Sequence, residues 1–190
     1  EKAGRMWTRN VSVQIPNETT KIPTRFEETN VYFADSTILE IFSFETIEGS
    51  ITNQLREPYT VILNQETAQK YFPNQSALGK LITMEGEKTF RVVAVVKDLQ
   101  TNLHIHLTML FPYDNMYDIE QESLQQAIRN NFKQNWMVSH SHSYVLLKEG
   151  TDPAMVNDRF PEFVKEKIPE NMQKDQSFEL QLLSDIHLNS

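Results

Sequence analysis

Eight consecutive residues, Thr89-Phe90-Arg91-Val92-Val93-Ala94-Val95-Val96, limit what this chain can fold into more than any other stretch. Branching at Cβ favours extended backbone, and apolar side chains stand on both faces of the strand these residues would form. Such a strand needs cover above and below. The run therefore predicts a central strand with packed layers on both sides.

Weaker signals surround it. Val11, Val13 and Ile15 alternate within Arg5 to Ile15, predicting a first strand stopped by Pro16-Asn17. Arg25 to Phe33 predicts a second. Asp35-Ser36 reads as the cap of a short helix carrying Ile38, Leu39 and Phe42, and Gly49 ends that region. Thr60 to Leu63 reads as a short buried strand. Asn64 is placed to cap the next helix, whose apolar stripe is Ala68, Tyr71 and Phe72 and whose stop is Pro73-Asn74. Leu81 to Met84 is a further strand, turned by Glu85-Gly86 into the central one.

Beyond it, Leu103, Ile105, Leu107, Met109 and Phe111 alternate with His104, His106 and Thr108, which predicts a half-exposed strand. A helix is expected over Ile119 to Phe132 with Leu124, Ala127 and Ile128 inward, then a long strand from Met137 to Leu147. Asp152-Pro153 opens a helix toward Ile168 that Pro161 must kink or interrupt. Phe178, Leu180 and Leu182 suggest a last strand. Strands and helices mixed along the whole length give an α+β class.

Charge and composition exclude several functions. The formal charge is −8 and the pI about 5.1, and Lys and Arg form no cluster. Nucleic acid, which needs clustered basic residues, is not an expected partner. There is no cysteine, so no disulfide framework, thiolate metal site or cysteine nucleophile exists. No stretch reaches the roughly 18 apolar residues that cross a bilayer. Glu1 is not an initiator residue, and the chain reads as a soluble piece cut from a longer, membrane-bound protein or as a processed mature protein.

Candidate chemistry is thin. His104 and His106 share a strand face by the period of two, and so do His140 and His142. If the two strands were neighbours, four imidazoles could hold Zn²⁺; the plainer reading has both pairs facing solvent. Ser139, Ser141 and Ser143 lie beside these histidines without the G-x-S-x-G elbow of a serine hydrolase. Gly79-Lys80 lacks the upstream Gly and the downstream Ser or Thr of a phosphate loop. Glu27-Glu28 and Asp118, Glu120 and Glu122 read as solvated surface. Met109, Met116 and Met137 read as core, as do Trp7 and Trp136.

An ordered series of short motifs carries more information. Asn30-Val31-Tyr32-Phe33-Ala34-Asp35 through Ile41-Phe42-Ser43-Phe44, then Glu48-Gly49, then Val61-Ile62-Leu63-Asn64-Gln65-Glu66-Thr67-Ala68-Gln69-Lys70-Tyr71-Phe72, then Ala77-Leu78-Gly79-Lys80 and Val93-Ala94-Val95-Val96-Lys97-Asp98 follow in that order. Asn102-Leu103-His104 and Leu183-Ser184-Asp185-Ile186-His187-Leu188 complete it. The series resembles the periplasmic core domain of MacB-like, FtsX-like ABC transporter permeases of the Bacteroidetes type. Ala77 and Ala94 stand where the family usually has Pro and Gly, and Asp114 to Gln134 matches no family motif.

The resemblance implies a porter-like α/β lobe, residues 1–48 plus 103–190, with an inserted small α/β lobe, residues 49–102. Asp35, Phe42, Gly49, Asn64, Ala68, Phe72, Gly79, Lys80, Asp98, His104, Asp185 and His187 would then be structural motif residues, with no catalytic residue and no cofactor. The implied partners are the flanking transmembrane helices, a cytoplasmic ATPase subunit, a second permease copy and a periplasmic cargo or protein. The implied place is the periplasmic side of the bacterial inner membrane, and the implied task is to relay ATP-driven conformational change outward. Two alternatives stand beside it: a free-standing periplasmic binding or adaptor module, and a metal-dependent hydrolase built on the paired histidines.

Overall fold

A computed structural model of the chain describes residues 1–17, 20–98, 105–119, 125, 129 and 140–186. Strand β1 (Lys2–Ile15) and strand β2 (Thr24–Ala34) form a long antiparallel hairpin. After helix α1 (Ile38–Ile41) come β3 (Thr46–Gly49), β4 (Thr60–Asn64) and helix α2 (Gln65–Tyr71). Then follow β5 (Leu81–Met84), β6 (Lys88–Val96), β7 (Met109–Pro112), helix α3 (Asn115–Asp118) and β8 (His142–Leu146).

Six of these strands close on themselves. β1 pairs with β2, β2 with β7, β7 with β4, β4 with β6, β6 with β5, and β5 again with β1. β3 adds to the C-terminal half of β6, and β8 lies next to β1. A ring of this kind leaves its members no unpaired edge, and a barrel this small is filled by its own side chains. The filling is visible in the alternation. Val11 and Val13, Val31 and Phe33, Val61 and Leu63, Ile82 and Met84, Phe90 and Val92, and Met109 and Phe111 all join one buried cluster. Phe111 sits at its centre, stacked on Phe33 at 5.2 Å and edge-on to Phe90 at 4.7 Å. Each such pair adds about 0.5–1.5 kcal/mol beyond the area it buries.

β6 meets the expectation of a strand buried on both faces. Its register against β4 slips between Val61 and Ile62, so that Val92 and Ala94 are successive partners. The bulge changes the phase of the strand. Phe90, Val92 and Val95 belong to the inner cluster, and Val93, Ala94 and Val96 to a second cluster on the outside. The outer cluster also takes in Ile38 and Phe42 around α1, Leu55 from a 3₁₀ turn, and Ile105 and Leu107.

Residues 105–111 depart from the expected half-exposed strand. Only Met109–Pro112 is strand, and all four of its residues are buried. Ile105 and Leu107 pack outside, while Met109 and Phe111 pack inside. Thr108 is the crossing point. Its N–H donates to Asn30 O at 3.1 Å and its hydroxyl to Thr29 O at 2.8 Å, while its own carbonyl accepts from Asn64 N at 3.1 Å. The carbonyls of Thr29 and Asn30 are available because the β1–β2 register breaks beside them, between Arg9 and Val11.

Other expectations change as well. Asp35 does not cap α1: Thr37 precedes the helix without a side-chain cap bond, its hydroxyl donating instead to Ala3 O at 2.6 Å, and the Asp35 carboxylate is taken by Arg5. The long strand expected from Met137 is β8 alone, with residues 137–139 outside the described set. The helix expected over 119–132 also falls largely outside it. Contacts divide the chain into two compact units. One compact unit is Lys2–Val145, in which β4 bonds directly to β7 and β5 to β1; the other is built from Leu146–Ser190.

In the second unit, Asp152 caps helix α4 (Pro153–Asn157) by accepting from Ala154 N at 2.9 Å. Helix α5 (Phe160–Lys167) follows with Pro161 in its first turn, so the proline interrupts the helix as the sequence predicts. Residues 176–182 are not a strand. Phe178 packs instead tilted against Phe160 and edge-on to Phe163, and Leu180 N donates to the Asn157 side chain at 2.8 Å. A side-chain partner takes the place of the ladder a strand would need.

Candidate functional site

Four of the motif residues, Asn64, Ala68, Phe72 and Asp98, meet at helix α2. Asn64 ends β4 and caps α2, its Oδ1 accepting from Thr67 N at 2.9 Å. Its Nδ2 donates to Asp98 Oδ1 at 2.7 Å, just past the end of β6, and the same oxygen receives Glu66 N at 3.3 Å. One carboxylate thus meets an orphan donor of the first helical turn, where negative charge is favoured. Ala68 and Phe72 bury the inner face of α2.

Beneath α2 lies a carboxylate that the sequence reads as surface. Glu28 is 7% exposed, and its Oε1 accepts from Lys70 Nζ at 2.6 Å and from the Tyr71 hydroxyl at 2.7 Å. Burial, and then the bond to Glu28, push the Tyr71 phenol far above its ordinary range. The signal was the period of two, which sets Glu28 in phase with Phe26 and Val11 opposite it.

An open groove of about 710 Å³ runs between the end of the β1–β2 hairpin and the C-terminal end of α2. Ile15, Phe26 and Phe72 line its apolar side, and Lys70 and Lys80 its polar side. Lys80 Nζ donates to Gln75 at 3.0 Å. The backbone of Gly79 and Lys80 extends the β5–β6 pairing, with Gly79 N donating to Val92 O at 2.8 Å and Lys80 O accepting from Val92 N at 2.9 Å. Gly79 has φ +77° with open space where a Cβ would stand. Gly49 has φ +74°, and its absent Cβ would lie 2.3 Å from Val93 O.

A second polar cluster ties β1 to the chain beyond β7. Arg5 grips both oxygens of Asp35, at 2.9 and 3.0 Å, and lies 4.0 Å over the Tyr113 ring. The bond to Asp35 raises the Arg5 pKa further. The buried Tyr113 hydroxyl meets Ser141 Oγ at 2.8 Å and His140 Nε2 at 3.3 Å. Phe42 packs edge-on against Tyr144 at 5.0 Å, and burial pushes the Tyr144 phenol up to about 12.

The described histidines stand at different elements. His106 precedes β7, whose partners are β2 and β4, while His142 opens β8, which lies beside β1, and His140 stands two residues before it. His106 and His142 are exposed, and the His106 backbone bonds the Tyr32 hydroxyl. His104 and His187 lie outside the described residues; Asp185 ends a 3₁₀ turn. Among the described residues no group of three His, Asp or Glu is placed to hold a metal ion. Met109, Met116 and Trp7 pack in or against the inner cluster, and Met137 and Trp136 fall outside the described set. Asp118 is engaged by Asn115, Tyr59 and Arg129. Among the described residues no helix is long and apolar enough to cross a membrane.

Comparison with known proteins fits this architecture. No curated protein matches the chain in sequence. A domain of a protein named as a permease from Porphyromonas gingivalis superposes with a TM-score of 0.67 at 21% identity, covering 100% of this chain and 83% of that one. The periplasmic region of MacB from Actinobacillus actinomycetemcomitans superposes with a TM-score of 0.60 at 14% identity, covering 87% of this chain and 66% of that one. At these identities the likeness is one of fold. The sequence profile of the MacB-like periplasmic core domain matches residues 4–163. The chain belongs to that family, and is a periplasmic core domain of the kind carried by ABC transporter permeases.

Proposed function

We infer that this domain relays ATP-driven movement of a permease to a cargo or protein on the periplasmic side of the bacterial inner membrane. Its partners on this reading are the permease's transmembrane helices, a cytoplasmic ATPase subunit reached through them, and a second permease copy. The observation that supports the reading is the closed six-strand ring, braced by Asn64 and Asp98. Packed interiors are bistable or rigid rather than continuously deformable, so a filled barrel passes displacement on as a body. The nucleotide chemistry belongs to the ATPase subunit.

This domain has no cysteine of its own to compete with a spin label. Labels at Arg25→Cys and Glu87→Cys, both exposed, report distances inside the domain of the intact permease. One label alone reports the distance between two copies. ATP binding should shift the second distance and leave the first unchanged. A fixed distance between copies through the whole ATP cycle overturns the relay.

A further inference from the structure

The second unit holds a groove of about 380 Å³ between helix α5 and residues 173–178. This lies within the range in which proteins hold small ligands. Phe160, Pro161, Val164 and Phe178 make its apolar floor. Phe178 is still 38% exposed although it packs against Phe160 and Phe163. The walls are fixed in place: Gln173 Nε2 donates to Ile168 O at 2.8 Å and to Lys165 O at 3.3 Å, tying the second wall to the end of the helix.

The charge around this floor sets the sign of what fits. The chain carries a net −8, yet no carboxylate lines the groove. Lys165 and Lys174 line it instead, both exposed, and neither forms an ion pair among the described residues. Between them in sequence, Glu166 is held by Lys167, and neither it nor Glu170 lines the groove. An apolar slot with two ammonium groups and no carboxylate in its lining matches one apolar chain ending in an anion.

We propose that this groove binds a single-chain anionic amphiphile, with the alkyl chain on Phe160, Val164 and Phe178 and the acidic head between Lys165 and Lys174. This goes beyond the relay reading and does not depend on it. A neutral head would leave both ammonium groups without a partner. A cationic head would be repelled.

The test is a titration of the whole isotope-labelled chain with decanoate, kept below its micellar concentration, followed by amide shifts. Saturable shifts confined to residues 157–178, with a dissociation constant on the order of 0.1 mM, support the site. The Lys165→Ala/Lys174→Ala variant changes only exposed side chains. It should bind about threefold to tenfold more weakly. Ser177→Trp, which places bulk in the lining, should abolish the shifts. Absence of saturation, or equal binding of octyl glucoside, overturns the proposal. So does tighter binding of a short peptide with a C-terminal leucine, which assigns the groove to a peptide terminus instead.

Discussion

The side-chain amide of Asn64 divides its two functions between two elements: its oxygen caps α2 through Thr67 N, and its nitrogen holds Asp98 at 2.7 Å. The end of β4, the end of β6 and the start of α2 are joined at one residue.

Removing that residue should cost more than a simple cap. Asn64→Ala loses the cap and leaves Asp98 without its donor, for a destabilisation of about 1–2 kcal/mol. Asn64→Asp keeps an acceptor for Thr67 but sets a second carboxylate against Asp98. Its deficit relative to wild type should be large at neutral pH and shrink as the pH falls and the pair takes up a proton. Urea unfolding of the three proteins at several pH values measures both effects. A deficit for Asn64→Asp that does not vary with pH would show that the two side chains do not face each other.

Two glycines with nearly the same φ should respond differently to alanine. At Gly79, φ +77° is the sole obstacle, so Gly79→Ala should cost about 1–2 kcal/mol. At Gly49 the new methyl also meets Val93 O at 2.3 Å, which cannot be relieved without moving β3 off β6. Gly49→Ala should therefore cost at least twice as much, or prevent folding. Equal thermal midpoints for the two variants would contradict the close approach.

Alkaline pH should unfold this domain through its tyrosines. Burial raises the folded-state pKa of Tyr71 most, and also those of Tyr32, Tyr59, Tyr117 and Tyr144. A phenol that keeps its proton in the folded state, where the unfolded chain releases it, makes stability whole below about pH 10 and erodes it above. Tyr71→Phe should lower stability at neutral pH by about 1–3 kcal/mol, because Glu28 loses a buried donor. The variant should then lose less than wild type between about pH 9 and about pH 11. Parallel losses in the two proteins would mean that the Tyr71 phenol ionises freely in the fold.

What the sequence showed and what it hid follow one division. The burial of β6 on both faces is written in its own residues, and so are the Asn64 and Asp152 caps and the interruption at Pro161. Each depends on neighbours a few positions away. Asp35 looks like a cap by the same local rule, but its partner Arg5 is 30 positions distant and the guanidinium wins. Glu28 looks like half of an exposed acidic pair, because nothing nearby announces Tyr71. Residues 105–111 have an unbroken period of two, yet the chain crosses the sheet at Thr108 to satisfy carbonyls freed by an irregularity in another strand. The α2 N-terminus was partly legible: its cap is local, and its brace on Asp98 lies 34 positions away.

The order in which the ring closes has a consequence for biogenesis. A chain threading out N-terminus first delivers β1, β2, β4, β5 and β6 before β7, the four-residue wedge that parts β2 from β4. Until Met109–Pro112 emerges, two strand borders stand open with their amides unanswered, a state prone to pairing with the wrong chain. The last piece is short, wholly apolar and limited by distant contacts, so its arrival sets the pace of folding. Within this domain, the ring strands are therefore most exposed to mispairing in the interval between Val96 and Pro112.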